Sequence, residues 1–338
     1  MLSPILALLT CGAPAPVDAA AATHCAPPVR TQEEGQVPAT EEIIQKRLGL
    51  WETQTREGKG LMLVERNRLA VRENPDAEVE YYYARHLEDR IEAMEFGTVK
   101  TFYVRWDRKT MLFAISDVME LDFQPSTDNP GKLEVRPLRC PKAKDVKLGK
   151  DRIAAVTEEL VERGNRDQSV RHAYHNDPSQ ANIGAMRQVD QDNIAWLLEL
   201  LPETGWPDSR RFGDDAAQAA FLIVQHSGRL DLMWTAREAL QAEVRGGRFP
   251  ASRLALLHDR LQLALGYPQK YGSQIHTYED GNSFVAPLLN TERVDAYRAE
   301  VGLDPLEEYL EFFADEGRLP QFFEWPAPKP RERAPYRR

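Results

Sequence analysis

Apolar residues recur at two different spacings along this chain, and the change of spacing divides it. From Glu41 to Trp51, the residues Ile43, Ile44, Leu48 and Trp51 fall on one helical stripe. Gly58 to Val64 is β-rich. In Val99 to Trp106, Phe102, Val104 and Trp106 alternate against Thr101, Tyr103 and Arg105, the period-2 pattern of a strand. Short strands are expected over Met111 to Ile115, Met119 to Phe123 and Leu133 to Leu138, broken by Asp107-Arg108 and by Asp128-Asn129-Pro130-Gly131. Between these, Tyr83, Leu87, Ile91 and Met94 predict a helix over Val79 to Met94. The run Tyr81-Tyr82-Tyr83 cannot all face inward on such a helix, which points to one or two exposed tyrosines and a contact surface.

From Asp151 the strand signals almost vanish. Helical stripes appear over Ile153 to Arg163, Val189 to Leu201, Ala216 to His226, Leu232 to Val244, Leu254 to Leu265 and Thr291 to Val301. Asp304-Pro305 opens a further helix, because proline is pre-set for a first turn. Gly205-Trp206-Pro207, Gly246-Gly247 and Gly266-Tyr267-Pro268 serve as connectors. The fold class expected is α+β: a small α+β domain over 41–140, then a mainly α-helical domain over 151–316. Pro141 to Lys150, rich in Pro and Lys, links them. The tail over 326–338 is Pro- and Arg-rich and is expected to be disordered. No internal repeat is visible.

Composition narrows the function classes. A length of 338 residues suits two domains, and 42% hydrophobic with 28% charged residues is ordinary for a globular chain. A formal net charge of −10 argues against nucleic acid as a partner, since phosphates demand a basic face. Residues 1–22 read as a signal-like leader: Leu2 to Leu9 is apolar, and Ala13 to Ala22 is rich in Ala and Pro. A flexible tether follows over 23–40. The leader lacks a basic start and is too short for a transmembrane span. Leu8-Leu9-Thr10-Cys11 resembles a lipoprotein box, making Cys11 a candidate lipid anchor. A periplasmic or secreted location is expected, and there Cys25 and Cys140 could pair.

The polar anomalies sit on the helices. Ala216 to Val224 is apolar almost all round and ends in Gln225-His226, with His226 projecting among Ala219, Leu222 and Ile223. In Ser252 to Leu265, Arg260 points into an arc of Leu256, Leu257, Leu261, Leu263 and Ala264, with Asp259 at its edge. A polar loop follows, Gln269 to Gln274, containing Gly272 where positive φ is expected. Such residues often fasten helices and loops together. The functional alternative is a pocket lined by Gln225, His226, Asp259, Arg260, Gln269, Tyr271 and Gln274.

Several stretches resemble a widespread bacterial domain family of unknown function found in exported proteins and lipoproteins. They are Arg166 to Arg171, Met186 to Asn193, Gly205 to Pro207, Phe221 to His226, Leu256 to Arg260, Gln269 to Gln274, and Val294 to Leu303. The resemblance covers roughly 151–315 and implies no reaction or substrate. His258 lies outside its pattern.

Other signals are weaker. His172 and His175 stand i,i+3 without a third ligand, so no metal is expected. Metalloprotease, hydrolase, P-loop and dinucleotide motifs are absent from the sequence, and no cofactor is expected. Two readings remain. One is an envelope module that binds a ligand or an envelope protein. The other is an enzyme with His226 as base, Arg260 holding an anionic group, and Tyr271 or Gln274 orienting substrate.

Overall fold

The computed structural model describes residues 37–322 apart from 89, 96, 97, 108, 109, 116–118, 278–282 and 315–318; over 95–122 and at 144 it describes the backbone alone. The leader, Cys11, Cys25 and the basic tail lie outside the described residues.

Helix α1 runs Glu41–Arg47, with the Thr40 side chain capping it and Glu41 and Glu42 in its first turn. It stops short of Trp51, because Leu48 turns extended and Gly49 takes φ 133, outside the helical region. Leu48 therefore ends the stripe, and Trp51 belongs to a strand. Eight antiparallel strands follow: β1 Gly49–Thr55, β2 Gly58–Val64, β3 Arg68–Arg72, β4 Glu80–His86, β5 Arg90–Glu95, β6 Thr98–Asp107, β7 Thr110–Ile115 and β8 Met119–Pro125. Each pairs with the next, and Trp51 opposite Pro125 joins β1 to β8, closing a barrel.

The expected helix over Val79 to Met94 is instead the β4–β5 hairpin. Ala84 faces Ala93, and His86 faces Ile91. The stripe Tyr83, Leu87, Ile91 and Met94 fits a helix only by coincidence. The burial that decides the matter alternates at period 2, with Tyr82, Ala84, Ile91 and Ala93 in one core. Tyr81 and Tyr82 point to opposite faces yet are both buried, because this wall of the barrel is covered outside as well as inside. Leu133 to Leu138 is not a strand either. Pro130–Leu133 forms a 3-10 turn, and the Leu138 N–H donates to Thr235 Oγ1 at 2.8 Å rather than to a ladder.

Inside the barrel, Trp51, Met62, Val64, Leu69, Tyr82, Ala84, Ile91, Ala93 and Phe123 pack together. Helix α1 is held by Arg47, whose guanidinium is buried and donates to the carbonyls of Leu87 at 2.6 Å, Arg90 at 3.2 Å and Glu88 at 2.7 Å. The outward residues Leu50, Leu61, Ala70 and Tyr81 belong to a different core, the one shared with the helices.

Those helices are α2 Lys150–Asn176, α3 Gln180–Thr204, α4 Ser209–Phe212, α5 Asp214–His226, α6 Leu230–Arg245, α7 Ala251–Ala264, α8 Val294–Glu300 and α9 Leu306–Leu310. Among the described residues, no helix is long and apolar enough to cross a membrane. The helical part also holds a small sheet of β9 Ile275–Thr277, β10 Ser283–Val285 and β11 Gln321–Phe322, too short to register as strands in the sequence pattern. The two parts meet closely. A Cβ at Gly266 would lie 2.6 Å from the Tyr82 carbonyl oxygen. Arg68 hydrogen-bonds the Tyr267 hydroxyl and lies between the rings of Tyr81 and Tyr267, at 4.9 and 4.7 Å. The link packs too, with Cys140 and Leu148 against the shared core.

The contact that positions the polar cluster is α2 against α5. A Cβ on Gly164 would lie 2.6 Å from Ala219 Cβ and 3.2 Å from its Cα, so the helices touch backbone to backbone there. Gly164→Ala should therefore force them apart. It should destabilise the fold by about 1–3 kcal/mol through overpacking, against a helix-propensity gain of about 1 kcal/mol. Adding Ala219→Gly should restore stability. Urea denaturation of the single and double variants checks this, and a single variant as stable as the parent would refute it.

Candidate functional site

One helical turn beyond Gly164 on α2 stands Asp167, and two turns beyond Ala219 on α5 stands His226, so the close approach brings them together. His226 Nδ1 lies 3.0 and 2.9 Å from the two Asp167 carboxylate oxygens. Arg171, one turn after Asp167, places Nη2 3.2 Å from Asp167 Oδ1 and bonds Asp190 of α3 through the same nitrogen. Gln168 Nε2 donates to Asp167 Oδ2 at 2.7 Å. The side chains of Asp167 and His226 are 0% and 3% exposed, and that of Asp190 is 19% exposed.

Arg171 Nε also lies 2.8 Å from His226 Nδ1, so one nitrogen has two suitors. A lone pair on Nδ1 facing both oxygens of a carboxylate would be repelled. The proton therefore sits on Nδ1 and is donated to Asp167, while the Arg171 Nε–H is directed to Asp167 Oδ1 at 3.3 Å. The other ring nitrogen, Nε2, is then a bare acceptor. It is buried and has no hydrogen-bond partner among the described residues.

Burial shifts the protonation of this cluster. It pushes His226 down to about 4, outweighing the Asp167 carboxylate, with the charges of Arg171 and Arg260 acting in the same downward direction; the ring is neutral at pH 7. Burial alone would raise the Asp167 carboxyl, but His226, Arg171 and Gln168 hold it below the usual carboxylate range. Asp190 is pushed up to about 7 by burial and by Asp167, and Arg171 offsets this only in part.

Next to His226, Gln225 is 1% exposed, and neither its Oε1 nor its Nε2 finds a partner among the described residues. Asn193 of α3 is similar: its Oδ1 accepts from Arg163 at 3.2 Å, but its Nδ2 is buried and unpartnered. Each such atom costs roughly 1–3 kcal/mol.

The loop Gln269 to Gln274 forms a second cluster built on the opposite principle. Asp259 is wholly buried, not at the edge of the α7 arc, because it anchors this loop. It accepts from the N–H groups of Lys270 at 2.8 Å, Tyr271 at 3.0 Å and Ser273 at 3.0 Å, and from Ser273 Oγ at 3.0 Å. Burial pushes its carboxyl up, opposed by those donors. Gln269, also buried, donates to the carbonyls of Gln274 and Ala286 at 3.0 and 2.9 Å and accepts from the Gln274 N–H at 2.8 Å. Gln274 Nε2 donates to Ser273 Oγ. Arg298 donates to the Tyr271 carbonyl at 2.7 Å, and the Tyr309 hydroxyl to that of Ser273 at 2.9 Å. Gly272 has φ 68, and a Cβ there would meet Leu306 at 2.9 Å.

The residues of the expected pocket fall in two groups. Asp259, Gln269, Tyr271 and Gln274 lie together in the loop clasp, whereas Gln225 and His226 lie together at the end of α5. Arg260 is half-buried, and Asp259 takes the inward position expected of it. Arg260 nevertheless acts on both clusters, lowering His226 and opposing the burial that pushes Tyr309 up to about 12. His258, packed edge-on to Tyr271, is pushed down to about 4 by burial and the charges of Arg237 and Lys270. His172 and His175 are exposed, and among the described residues no three His, Cys, Asp or Glu are grouped to hold a metal ion.

Sequence reasoning passed over Asp167, Arg171, Asp190 and Asn193 as site residues. Their signal was present: an Asp–Arg pair at i,i+4 in Arg166 to Arg171, and Asp190 and Asn193 in Met186 to Asn193. Both stretches were among those carrying the family resemblance.

Barrel, helices and clusters together define an α+β protein in two parts, with the Asp167 and Asp259 clusters in the helical part. The chain belongs to the family of unknown function DUF6624, whose model matches residues 150–319, half of the chain. No curated protein and no solved structure matches it.

A pH dependence follows from Asp190. With its folded pKa raised from 3.8 to about 7, its contribution to stability is fully present below 3.8 and is lost as pH rises through about 7. His226 acts in the reverse sense, its contribution being lost as pH falls from 6.5 through about 4. Asp190→Asn keeps the neutral shape and leaves the His226 effect common to both proteins. Its stability relative to the parent should therefore climb between pH 4 and 7, as read by urea unfolding across that range. A difference that stays flat with pH would contradict the raised value.

Proposed function

We propose that the helical part is a ligand-binding module and that its ligand completes the hydrogen bonding of Gln225 and His226. The observation that carries this is the amide of Gln225 together with Nε2 of His226: three buried polar atoms on the last two residues of α5, each without a partner among the described residues. A fold built only for stability would place apolar side chains there, and groups kept against that cost are a mark of function. The same region shows the alternative plainly, since Asp259 and Gln269 are buried and fully engaged.

The test is Gln225→Leu, which replaces the amide by an apolar side chain of similar size. The variant should be as stable as the parent or more so, by about 1–3 kcal/mol, since it removes unmatched groups. Thermal and urea unfolding measure it. A loss of about 2 kcal/mol or more would mean that the amide is paired in the folded protein and fastens helices.

One observation favours a second reading, catalysis. The Asp167–His226 pair has the arrangement in which a buried carboxylate fixes the imidazole tautomer and leaves Nε2 as a base, with the charge of Arg260 acting on the ring. The depressed value of His226 makes it a weak base at pH 7, which ranks this second.

The envelope location belongs to the same proposal. It is supported by the apolar Leu2 to Leu9, the Ala-rich segment after it and the box ending at Cys11. Residues 1–40 fused to a periplasmic reporter should carry it across the inner membrane. Retention of the fusion in the cytoplasm would refute it.

A further inference from the structure

Gln225 and His226 also restrict what the ligand can be. Resting on the ligand-binding reading above, we propose that the site takes an uncharged carboxamide that donates a hydrogen bond to His226 Nε2.

Because Asp167 takes the Nδ1 proton, Nε2 can only accept, and whatever meets it must bring a hydrogen. A fully ionised carboxylate has acceptors alone and cannot do so. The charges around the ring are already matched to one another. Arg171 is shared between Asp167 and Asp190, and Asp167 also takes the bonds of Gln168 and His226. An anion entering here would approach two carboxylates, and a cation would approach Arg171. Arg260 is a further cation acting on the ring, so an anion is the competitor to exclude.

The unmatched atoms of Gln225, the residue before His226, are neutral: one acceptor and one donor group in a single plane. A carboxamide carries the complementary pair in one plane, an N–H₂ for Nε2 or Oε1 and a C=O for the amide hydrogens, as the Gln225 amide itself does. Selection against the carboxylate isostere then follows from the cost of leaving polar atoms unpaired, the same asymmetry that lets sites built on hydrogen bonds reject analogues lacking one partner.

Acetamide and acetate have nearly the same shape and differ in charge and in the donor, so they are the probes. The experiment titrates each into the full ¹⁵N-labelled chain at pH 7 and follows the His226 ring nitrogens and the Gln225 side-chain amide by NMR. Acetamide should shift His226 Nε2 and the Gln225 amide saturably, and acetate should leave both in place. A saturable shift with acetate and none with acetamide would overturn the carboxamide class while leaving a ligand site standing. No shift with either would overturn the class as well. The stability of Gln225→Leu then separates the two failures: a variant no less stable than the parent keeps the binding reading, and a destabilised one ends both.

Discussion

The burial of Asp167 between α2 and α5 is the constraint around which the helical part is arranged. A carboxylate with no exposed surface must be matched on every side, and here Arg171, Gln168 and His226 match it. That match needs the two helices at the close separation that a glycine, Gly164 against Ala219, allows. Arg171 in turn reaches Asp190 and so ties in α3. One small residue thus sets a distance, the distance sets a hydrogen bond, and the bond sets which nitrogen of His226 is left bare.

Asp167 and Asp259 are both fully buried in the helical part, and their surroundings contrast. Asp259 receives four donors from one loop, and Gln269 closes the same loop from the other side. Nothing in that clasp asks for a partner from outside. The Asp167 cluster is satisfied on its α2 side, while His226 Nε2 and the neighbouring Gln225 amide have no partner among the described residues. Saturation is what a fastening looks like, and the one-sided deficit is what supports the proposed binding reading.

The barrel contributes a wall to this arrangement. Its inward side chains form a core of their own, while Leu50, Leu61, Ala70 and Tyr81 on the outside join the core of α2, α3, α5, α6 and α7. With Gly266 against the Tyr82 backbone and Arg68 between two tyrosine rings, the loop after α7 is held from the barrel side. The clasp at Asp259 begins only a few residues further on.

Much of this was legible in the sequence. The stripes over Val189 to Leu201, Ala216 to His226 and Leu232 to Val244 fall within α3, α5 and α6, since one face of each meets a core and the 3.6-residue period reports it. The chain change near residue 150, and Gln225-His226 as an oddity at the end of an apolar helix, were equally plain. Val79 to Met94 misled because Tyr81, Tyr83 and Met94 share the outer face with Arg85, Arg90 and Glu92, so apolar and polar residues do not alternate cleanly. Asp259 and Arg260 exchanged their expected positions because helical spacing cannot say where a loop 11 and 12 residues further on will place its N–H groups. Asp167, Arg171 and Asp190 went unassigned because a charged pair at i,i+4 looks the same in sequence on a wet surface as in a buried core. The sequence by itself determined the two-part α+β plan and which helices are apolar. Only the tertiary structure decided which carboxylate meets His226, because that depends on the approach of two helices, and sequence spacing within either one carries no record of it.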